Sequence, residues 1–290
     1  MHYRNAIGAM AGLAALAMTI SVAAAFDETK YPDLKGVWLR VARSTGTARV
    51  IQYDPTKLSG LAQEAPLKPE YQKIHEANMA EHEKGGQAGD PTALCLAPGM
   101  PRVMGAYAPM EIVVTPETTY ILIEHIHDSR RIHTDGRDFP ANMDLDPQFA
   151  GYSIGKWLDE DGDGKYDTLV VETRGLKNPR TYDATGIPFH ADGRTIIRER
   201  IYLDKADQNT LYDDITVIDN ALTRPWSAHK TYRRAAAKGP IWWREDICAE
   251  NNAHVVIGGE DYFLSADGLL MPTKKDQAAP DLRFFKQKGK

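Results

Sequence analysis

The sequence has little cysteine and no excess of positive charge. The first argues against a reactive-cysteine site, and the second against a nucleic-acid-binding function. Only two cysteines occur in 290 residues, and no reactive-cysteine motif surrounds either one. The formal net charge is −5, and it becomes −6 once the first 25 residues, which include Arg4, are removed. Nucleic-acid-binding domains carry a basic patch or stripe, so we expect no nucleic-acid partner. There is also no internal repeat, so we expect one domain over residues 26–290.

Residues 1–25 have the composition of a secretory signal peptide. His2 and Arg4 lie at the start, residues 7–22 are apolar and alanine-rich, and three alanines precede Phe26. A positive start, an apolar stretch and small residues before the cleavage site define such peptides. We therefore predict a periplasmic or secreted protein with no membrane span after signal removal. A membrane anchor is the alternative, because the apolar stretch approaches the length of a span.

The two cysteines, Cys95 and Cys248, are expected to pair. An exported chain enters an oxidising compartment, where an even number of cysteines tends to form disulfides. A bridge between them would join the start of the strand-rich region to its far end. A catalytic thiol is the alternative.

The middle of the chain reads as a series of short strands. Its segments are rich in Val, Ile, Thr and Tyr and are separated by turn residues, which is typical of strands. Consecutive strands without intervening helices favour antiparallel pairing, and this many strands close into a barrel or pack as a sandwich. The predicted strands are 36–41, 48–53, 111–114, 119–127, 130–134, 152–158, 167–173, 195–203, 210–219 and 227–234.

One helix and several loops complete the predicted architecture. Pro69 begins a stretch, residues 68–84, in which Tyr71, Ile74, His75 and Met79 recur near helical spacing. Residues 95–110 are rich in proline and glycine, which predicts an ordered loop. After residue 247 we expect irregular structure with a short hairpin near residues 262–270.

A hairpin at residues 120–137 is the first candidate site. A two-residue turn at 128–129 places Glu124 opposite His133, with Asp135 and Arg137 close by. A carboxylate beside an imidazole can orient a general base, and an arginine can hold an anionic oxygen. The alternative is that this polar face is the solvated side of a half-buried sheet. A turn one residue longer would dissolve the pairing, because a register slip exchanges the faces.

Glu199 is a second candidate acid or base. It lies on the same strand face as Ile197 and Ile201, and a carboxylate on an apolar face must be paired, protonated or in a cavity. Pairing with an arginine such as Arg233 is the alternative. Ser153 lies in a Gly-x-Ser-x-Gly sequence, but the residues that follow cannot form the helix of a nucleophile elbow. We therefore expect an ordinary strand residue there.

An acidic turn at residues 159–167 resembles the first half of a calcium loop. Asp159, Asp161 and Asp163 have the 1, 3, 5 spacing of such loops, and Gly164 stands at position 6. Position 12 is Val170, so the usual bidentate glutamate is missing. The predicted cofactor is at most a structural Ca²⁺, and a simple hairpin tip is the alternative.

Aromatic residues are numerous in the predicted strands. If several converge inside a barrel, they form a flat apolar pocket for an aromatic ligand. The candidate ligand-binding residues are Tyr152, Trp157, Tyr202 and Trp226.

Eight sequence blocks resemble a large group of exported bacterial proteins, most of them without an assigned activity. The blocks are CLAPGMPR (95–102), RRIHTDGR (130–137), GYSIGKW (151–157), DTLVVET (167–173), ER (199–200), TRPW (223–226), CAEN (248–251) and LLMP (269–272). That group usually joins the strands at 157 and 167 by a shorter turn, so the acidic loop is a departure from the group.

That group is in turn similar to cofactor-independent bacterial β-etherases, which act on lignin-derived aryl ethers. The sequence Gly36-Val-Trp38 resembles the opening of lipocalin-like barrels. These resemblances imply a mainly β, antiparallel, lipocalin-like or calycin-like barrel with one helix, long ordered loops and an internal or rim site.

The combined expectation is an enzyme that cleaves or hydrates an ether-type bond in a small aromatic substrate without an organic cofactor. His133 would be the general base, oriented by Glu124, and Asp135 or Glu199 would be the acid. Arg137 would stabilise developing negative charge. A non-catalytic binding protein for an apolar or aromatic ligand is the alternative, and a calcium-stabilised structural module is a third interpretation.

Overall fold

The structure is a computed structural model of the chain. The leader and the predicted strand at 48–53 lie outside the residues that it describes. The described residues are 26–41, 65–87, 89–105, 108–124, 129–143, 146–178, 180–183, 185–236, 243, 247–248, 253–265 and 267–281.

Nine strands close into a barrel, which confirms the predicted mainly β barrel. The strands pair in chain order, and the ninth returns to the first through antiparallel pairs such as Leu39 with Arg233. The strands are β1 (Val37–Arg40), β2 (Met110–Val114), β3 (Thr118–Ile123), β4 (Ser129–His133), β5 (Tyr152–Leu158), β6 (Thr168–Arg174), β7 (Ile196–Leu203), β8 (Thr210–Ile218) and β9 (Trp226–Arg234).

One strand pair of the barrel departs from the antiparallel prediction. β4 and β5 run parallel, with Ile132 beside Ser153 and His133 beside Ile154, whereas the other barrel pairs are antiparallel. Parallel neighbours need a crossover connection of about a dozen residues or more. Residues 134–151 supply that connection, so the strands do not form a continuous antiparallel meander.

Alternate residues along each strand form the core, because successive side chains point to opposite faces. On β8, Leu211, Asp213, Ile215 and Val217 are fully buried, while Tyr212, Asp214 and Thr216 between them are partly exposed. On β5 the inward Gly155 lies beside the parallel pair, where a Cβ would approach Ile132 Cγ2 to 2.6 Å. A larger residue there would force the β4–β5 pair apart.

The predicted helix is present as α1 (Pro69–Glu83), and it is the one α-helix among the described residues. Its start is held to the β8–β9 turn, since Lys68 N donates to Ala221 O at 2.9 Å. His75 is fully buried, but Ile74 is 46% exposed. The predicted apolar face was therefore only partly right.

The chain after residue 247 is more regular than predicted. A separate three-stranded antiparallel sheet contains β10 (His254–Ile257), β11 (Glu260–Leu264) and β12 (Leu270–Pro272). β11 and β12 form the expected hairpin, with Leu264 paired to Leu270, whereas β10 was missed. β10 is short, and it is stabilised by backbone hydrogen bonds to β11 more than by a pattern in its own sequence.

A disulfide joins Cys95 to Cys248, with their Cα atoms 5.4 Å apart. The predicted bridge is thereby confirmed. It links the loop before β2 to the segment before the C-terminal sheet, across a sequence separation of 153 residues. None of the helices in the described residues has the length and apolar character needed to span a bilayer.

Replacing both cysteines by serine (Cys95→Ser with Cys248→Ser) should lower the free energy of unfolding. Closing a loop of this length removes denatured-state entropy worth up to about 4–5 kcal/mol. Urea denaturation followed by circular dichroism measures the change. A reducing agent should lower the wild-type midpoint and leave that of the double variant unchanged; equal wild-type midpoints with and without reductant would contradict the prediction.

Candidate functional site

The hairpin that was expected to join Glu124 and His133 has a different register. His133 pairs with Thr118, and Leu122 pairs with Ser129, so the predicted Glu124–His133 pairing is wrong. The connection between β3 and β4 is longer than two residues because β3 ends at Ile123. The register differs by an even number of positions, so residues that were predicted to share a strand face do share one. The face with His133 is the outer one, in agreement with the solvated-face alternative and not with the catalytic interpretation.

His133 lies on the outer face of the barrel, half-buried, with its ring centroid 4.9 Å from that of Tyr152. Exposed Arg137 donates to Asp135 at 2.6 and 2.9 Å and to Tyr152 Oη at 3.4 Å. Burial, and then the charge of Arg137, lower the pKa of His133. The hydrogen bonds from Arg137 lower the pKa of Asp135 to about 2. These residues form a surface cluster on the outside of the barrel.

Glu124 is not part of that cluster. It follows β3 directly, is buried, and its backbone N–H donates to Pro109 O at 3.0 Å. The expected orientation of His133 by Glu124 is therefore not present in this fold.

Glu199 points into the barrel, where it forms a bidentate ion pair with Arg130. Arg130 Nη1 donates to Glu199 Oε1 at 2.7 Å, and Nη2 donates to Oε2. The side chains are 2% and 0% exposed. An arginine partner for Glu199 was the predicted alternative, and the structure has one. It is Arg130 from β4 and not Arg233, whose guanidinium contacts Asp207 at the surface.

Two hydroxyl groups complete the surroundings of Arg130. Its Nη2 donates to Thr173 Oγ1 at 3.2 Å and reaches Ser153 Oγ at 3.4 Å, and the two hydroxyls are 2.7 Å apart. Ser153 is 1% exposed on β5. It is a strand residue that supports a buried arginine, in agreement with the sequence expectation.

Asp213 is the second carboxylate inside the barrel. It is fully buried on β8, opposite Ile201 on β7, which lies two residues from Glu199 on the same face, and opposite Lys230 on β9. Neither of its oxygens has a hydrogen-bond partner among the described residues. Burial and the charge of Glu199 raise the pKa of Asp213 well above its usual value. The carboxyl group is thereby shifted toward its protonated form, which can donate a proton.

Two aromatic rings lie close to Lys230, the residue opposite Asp213. The rings of Tyr182 and Trp226 lie 4.1 Å apart, and Lys230 Nζ lies 5.4 Å from the centroid of Tyr182. Both aromatic residues are buried, yet the Tyr182 hydroxyl and Trp226 Nε1 have no hydrogen-bond partner among the described residues. Burial, and then the charges of Asp183 and Asp213, raise the pKa of Tyr182. Its hydroxyl therefore stays a neutral donor.

The four aromatic residues predicted to bind a ligand do not meet in one place. Trp157 and Trp226 point into the barrel and are buried. Tyr152 and Tyr202 lie on the outer face, where Tyr202 donates to Asp214 Oδ2 at 3.0 Å. Trp157 packs edge-on against Tyr31 with centroids 5.4 Å apart. Nε1 of Trp157 and Nε1 of Trp226 both lack a hydrogen-bond partner among the described residues, but of the two only Trp226 stacks on Tyr182.

The acidic turn between β5 and β6 gathers three carboxylates, but not the predicted three. Ligand atoms of Asp159, Asp161 and Asp167 lie within 4.8 Å of one another. Asp163 instead accepts a hydrogen bond from Lys165 N at 2.8 Å. Asp159 accepts bonds from the backbone of Gly162 at 2.7 Å, as a turn-forming aspartate does. Calcium binding here stays a prediction.

Several interior residues were missed by the sequence analysis. Arg130 alternates with the apolar Ile132, and Asp213 alternates with Leu211 and Ile215. The argument applied to Glu199, a charge on an apolar strand face, would have identified both. Tyr182 lies in a loop, and no periodic signal marks it.

No protein-family model matches this chain, and no curated protein matches it.

Breaking the interior ion pair from one side should destabilise the fold. Arg130→Met leaves Glu199 buried without its partner, which costs about 3–5 kcal/mol. The double variant Arg130→Met, Glu199→Leu should recover much of this loss because both charges are gone. Urea denaturation measures all three proteins.

Arg198→Met is the matched control for that series. Arg198 contacts Glu172 from the outer face of β7 with 59% of its side chain exposed, and exposed pairs contribute only about 0–1 kcal/mol. If the double variant is as unstable as Arg130→Met, the loss of stability does not come from leaving Glu199 unpaired, and the prediction is contradicted.

His133 should titrate below its ordinary pKa of 6.5, and Arg137→Gln should raise that pKa. The substitution removes a nearby positive charge and also releases the negative charge of Asp135. Proton-detected NMR of the imidazole across pH measures both values. A wild-type pKa above 6.5, or no change in the variant, would contradict this electrostatic picture.

Proposed function

We propose that this protein is an exported barrel enzyme that cleaves an ether-type bond in a small aromatic substrate, with Asp213 as the proton donor. The proposal keeps the predicted class of reaction and moves its centre from the outer hairpin to the barrel interior. The observation that carries it is the group of buried, unpartnered polar atoms on Asp213, Tyr182 and Trp226.

Buried polar atoms in folded proteins nearly always have a hydrogen-bond partner, and leaving one unsatisfied costs about 1–3 kcal/mol. Here a carboxyl group, a phenol and an indole N–H are unsatisfied; Tyr182 stacks on Trp226 and lies near Lys230, which is opposite Asp213. A small molecule with oxygen functions would satisfy both the donors and the acceptors. The adjoining rings of Tyr182 and Trp226 suit an aromatic body.

The electrostatics of Asp213 suit general acid catalysis. Burial and Glu199 raise its pKa, and a carboxylic acid kept neutral by its surroundings can protonate a leaving group. In the proposed step, Asp213 gives its proton to the ether oxygen as the carbon–oxygen bond breaks. Water adds its oxygen to the carbon, and the released proton returns to the Asp213 carboxylate. The products are two hydroxyl compounds, and no cofactor is required.

Export is supported by the composition of residues 1–25, which is that of a signal peptide. The Cys95–Cys248 disulfide is also consistent with an oxidising compartment. The proposed location is the periplasm or the extracellular medium.

A binding protein without catalysis is the second candidate function, and one observation favours it. The part of the barrel wall formed by β3 and β4 carries inward Ile121, Ile123 and Ile132, all buried. This aliphatic wall would hold an apolar or aromatic ligand without supplying any reacting group.

Asp213→Asn should lower ether cleavage by about 10²–10⁴-fold, the usual contribution of a general acid. The mature protein would be incubated with a panel of aryl-ether dimers and the products quantified by mass spectrometry. Wild-type turnover should fall as pH rises through the pKa of Asp213, because the protonated form is the active one. The Asn variant should lack that descending limb.

The neighbouring Asp214 provides the matched control. Its side chain lies on the outer face of β8, where it contacts His229 at 2.5 Å, so Asp214→Asn should retain turnover. Loss of cleavage in both variants, or in neither, would overturn the role of Asp213. Binding of the dimers without any product would favour the second candidate function.

A further inference from the structure

We infer that Arg40 and Lys230 form an anion-binding site beside Gly105, and that the small molecule bound in the barrel carries a carboxylate group there. The inference rests on the proposed function and names its substrate class, an aromatic ether with an acidic substituent.

The geometry brings two cations to one point. An ideal Cβ on Gly105 would lie 3.6 Å from Lys230 Nζ and 3.7 Å from Arg40 Nη1. The short turn Arg102–Gly105 is fixed at this position because the hydroxyl of Tyr232 donates to Met104 O. Arg40 and Lys230 come from β1 and β9, which are adjacent in the closed barrel. The space next to Gly105, where another residue would have its Cβ, is thus flanked by both positive charges.

Neither cation forms an ion pair within the part of the chain that the structure describes. Among the described residues, no carboxylate forms an ion pair with Arg40 or Lys230, and Arg40 Nε is buried without a hydrogen-bond partner. The carboxylates whose charges act on Lys230 are Asp183 and Asp213. Asp183 accepts hydrogen bonds from the backbone N–H and the hydroxyl of Thr185. Asp213 is shifted toward its neutral form. Buried charges are normally paired, so this arrangement calls for an anion from outside the chain.

The chemistry favours a carboxylate attached to an aromatic ring. Guanidinium and ammonium groups bind carboxylates through short charge-assisted hydrogen bonds. Burial and the neighbouring Arg40 lower the pKa of Lys230, and a bound anion would offset both effects. The ring of Tyr182 lies beside Lys230, with Trp226 behind it. An anionic group at Gly105 would therefore place the aromatic body of the same molecule against these rings and toward Asp213.

Two probes that differ only in charge test the inference. The wild type should bind 4-methoxybenzoate at least about tenfold more tightly than 4-methoxybenzamide, since a hydrogen bond to a charged group contributes about 1.5–3 kcal/mol. Isothermal titration calorimetry, together with the tryptophan fluorescence of Trp226, measures both affinities. Arg40→Met and Lys230→Met should each remove most of the preference, and Lys230→Arg should restore it. Lys156→Met, on the exposed face of β5, should leave it unchanged.

A second arm does not depend on any ligand. Gly105→Asp supplies a tethered carboxylate to the two cations, and the ordinary contact distances at this Cβ leave room for it. Compared with the uncharged Gly105→Asn, it should melt about 2–4 °C higher and should no longer prefer the benzoate.

The outcomes separate the inference from the proposed function. Equal binding of both probes, or a preference that survives Arg40→Met and Lys230→Met, would overturn the anion site and leave the interior site intact. Binding of neither probe would overturn the interior site as well. Equal melting of the Asp and Asn variants at position 105 would show that the two cations do not converge there.

Discussion

The structure depends on the closure of the barrel through the β1–β9 pair. Closure gives all nine strands a common inside, so every second side chain is removed from water whatever its chemistry. Most of these positions hold aliphatic residues such as Ile121 and Leu211. The charged ones must find partners within the same enclosed volume, because unpaired charge in an apolar interior is costly.

The interior charges meet that constraint in two ways. Arg130 and Glu199 neutralise each other with well-formed hydrogen bonds and two supporting hydroxyls. On the same side of the interior as Glu199, Asp213 has no hydrogen-bond partner, and Lys230 and Arg40 form no ion pair among the described residues. One interior group is thus ion-paired, whereas the other holds a carboxyl group without a partner, and we assign a structural role to the first and a functional role to the second. The contrast between these two clusters directs the functional proposal to the second.

The outer hairpin shows why a chemically plausible cluster can mislead. The grouping of residues by strand face was right, because the alternation of side chains is a local property of the strand, but the face with His133 points outward and not into the barrel. Its register was wrong, because the length of the β3–β4 connection decides which residues lie opposite each other. His133, Asp135 and Arg137 do lie together, but on the outside of the barrel and without Glu124.

The sequence by itself determined most positions of the barrel strands, the residues that share a strand face, the helix after Pro69 and the pairing of Cys95 with Cys248. These follow from local periodicity, turn residues and cysteine number. Only the tertiary structure decided the register of β3 with β4, the parallel β4–β5 pair and the meeting of Arg40, Lys230 and Tyr182 at one end. Such contacts join residues far apart in the chain, and their geometry is fixed by barrel closure and loop length, which no short sequence pattern encodes.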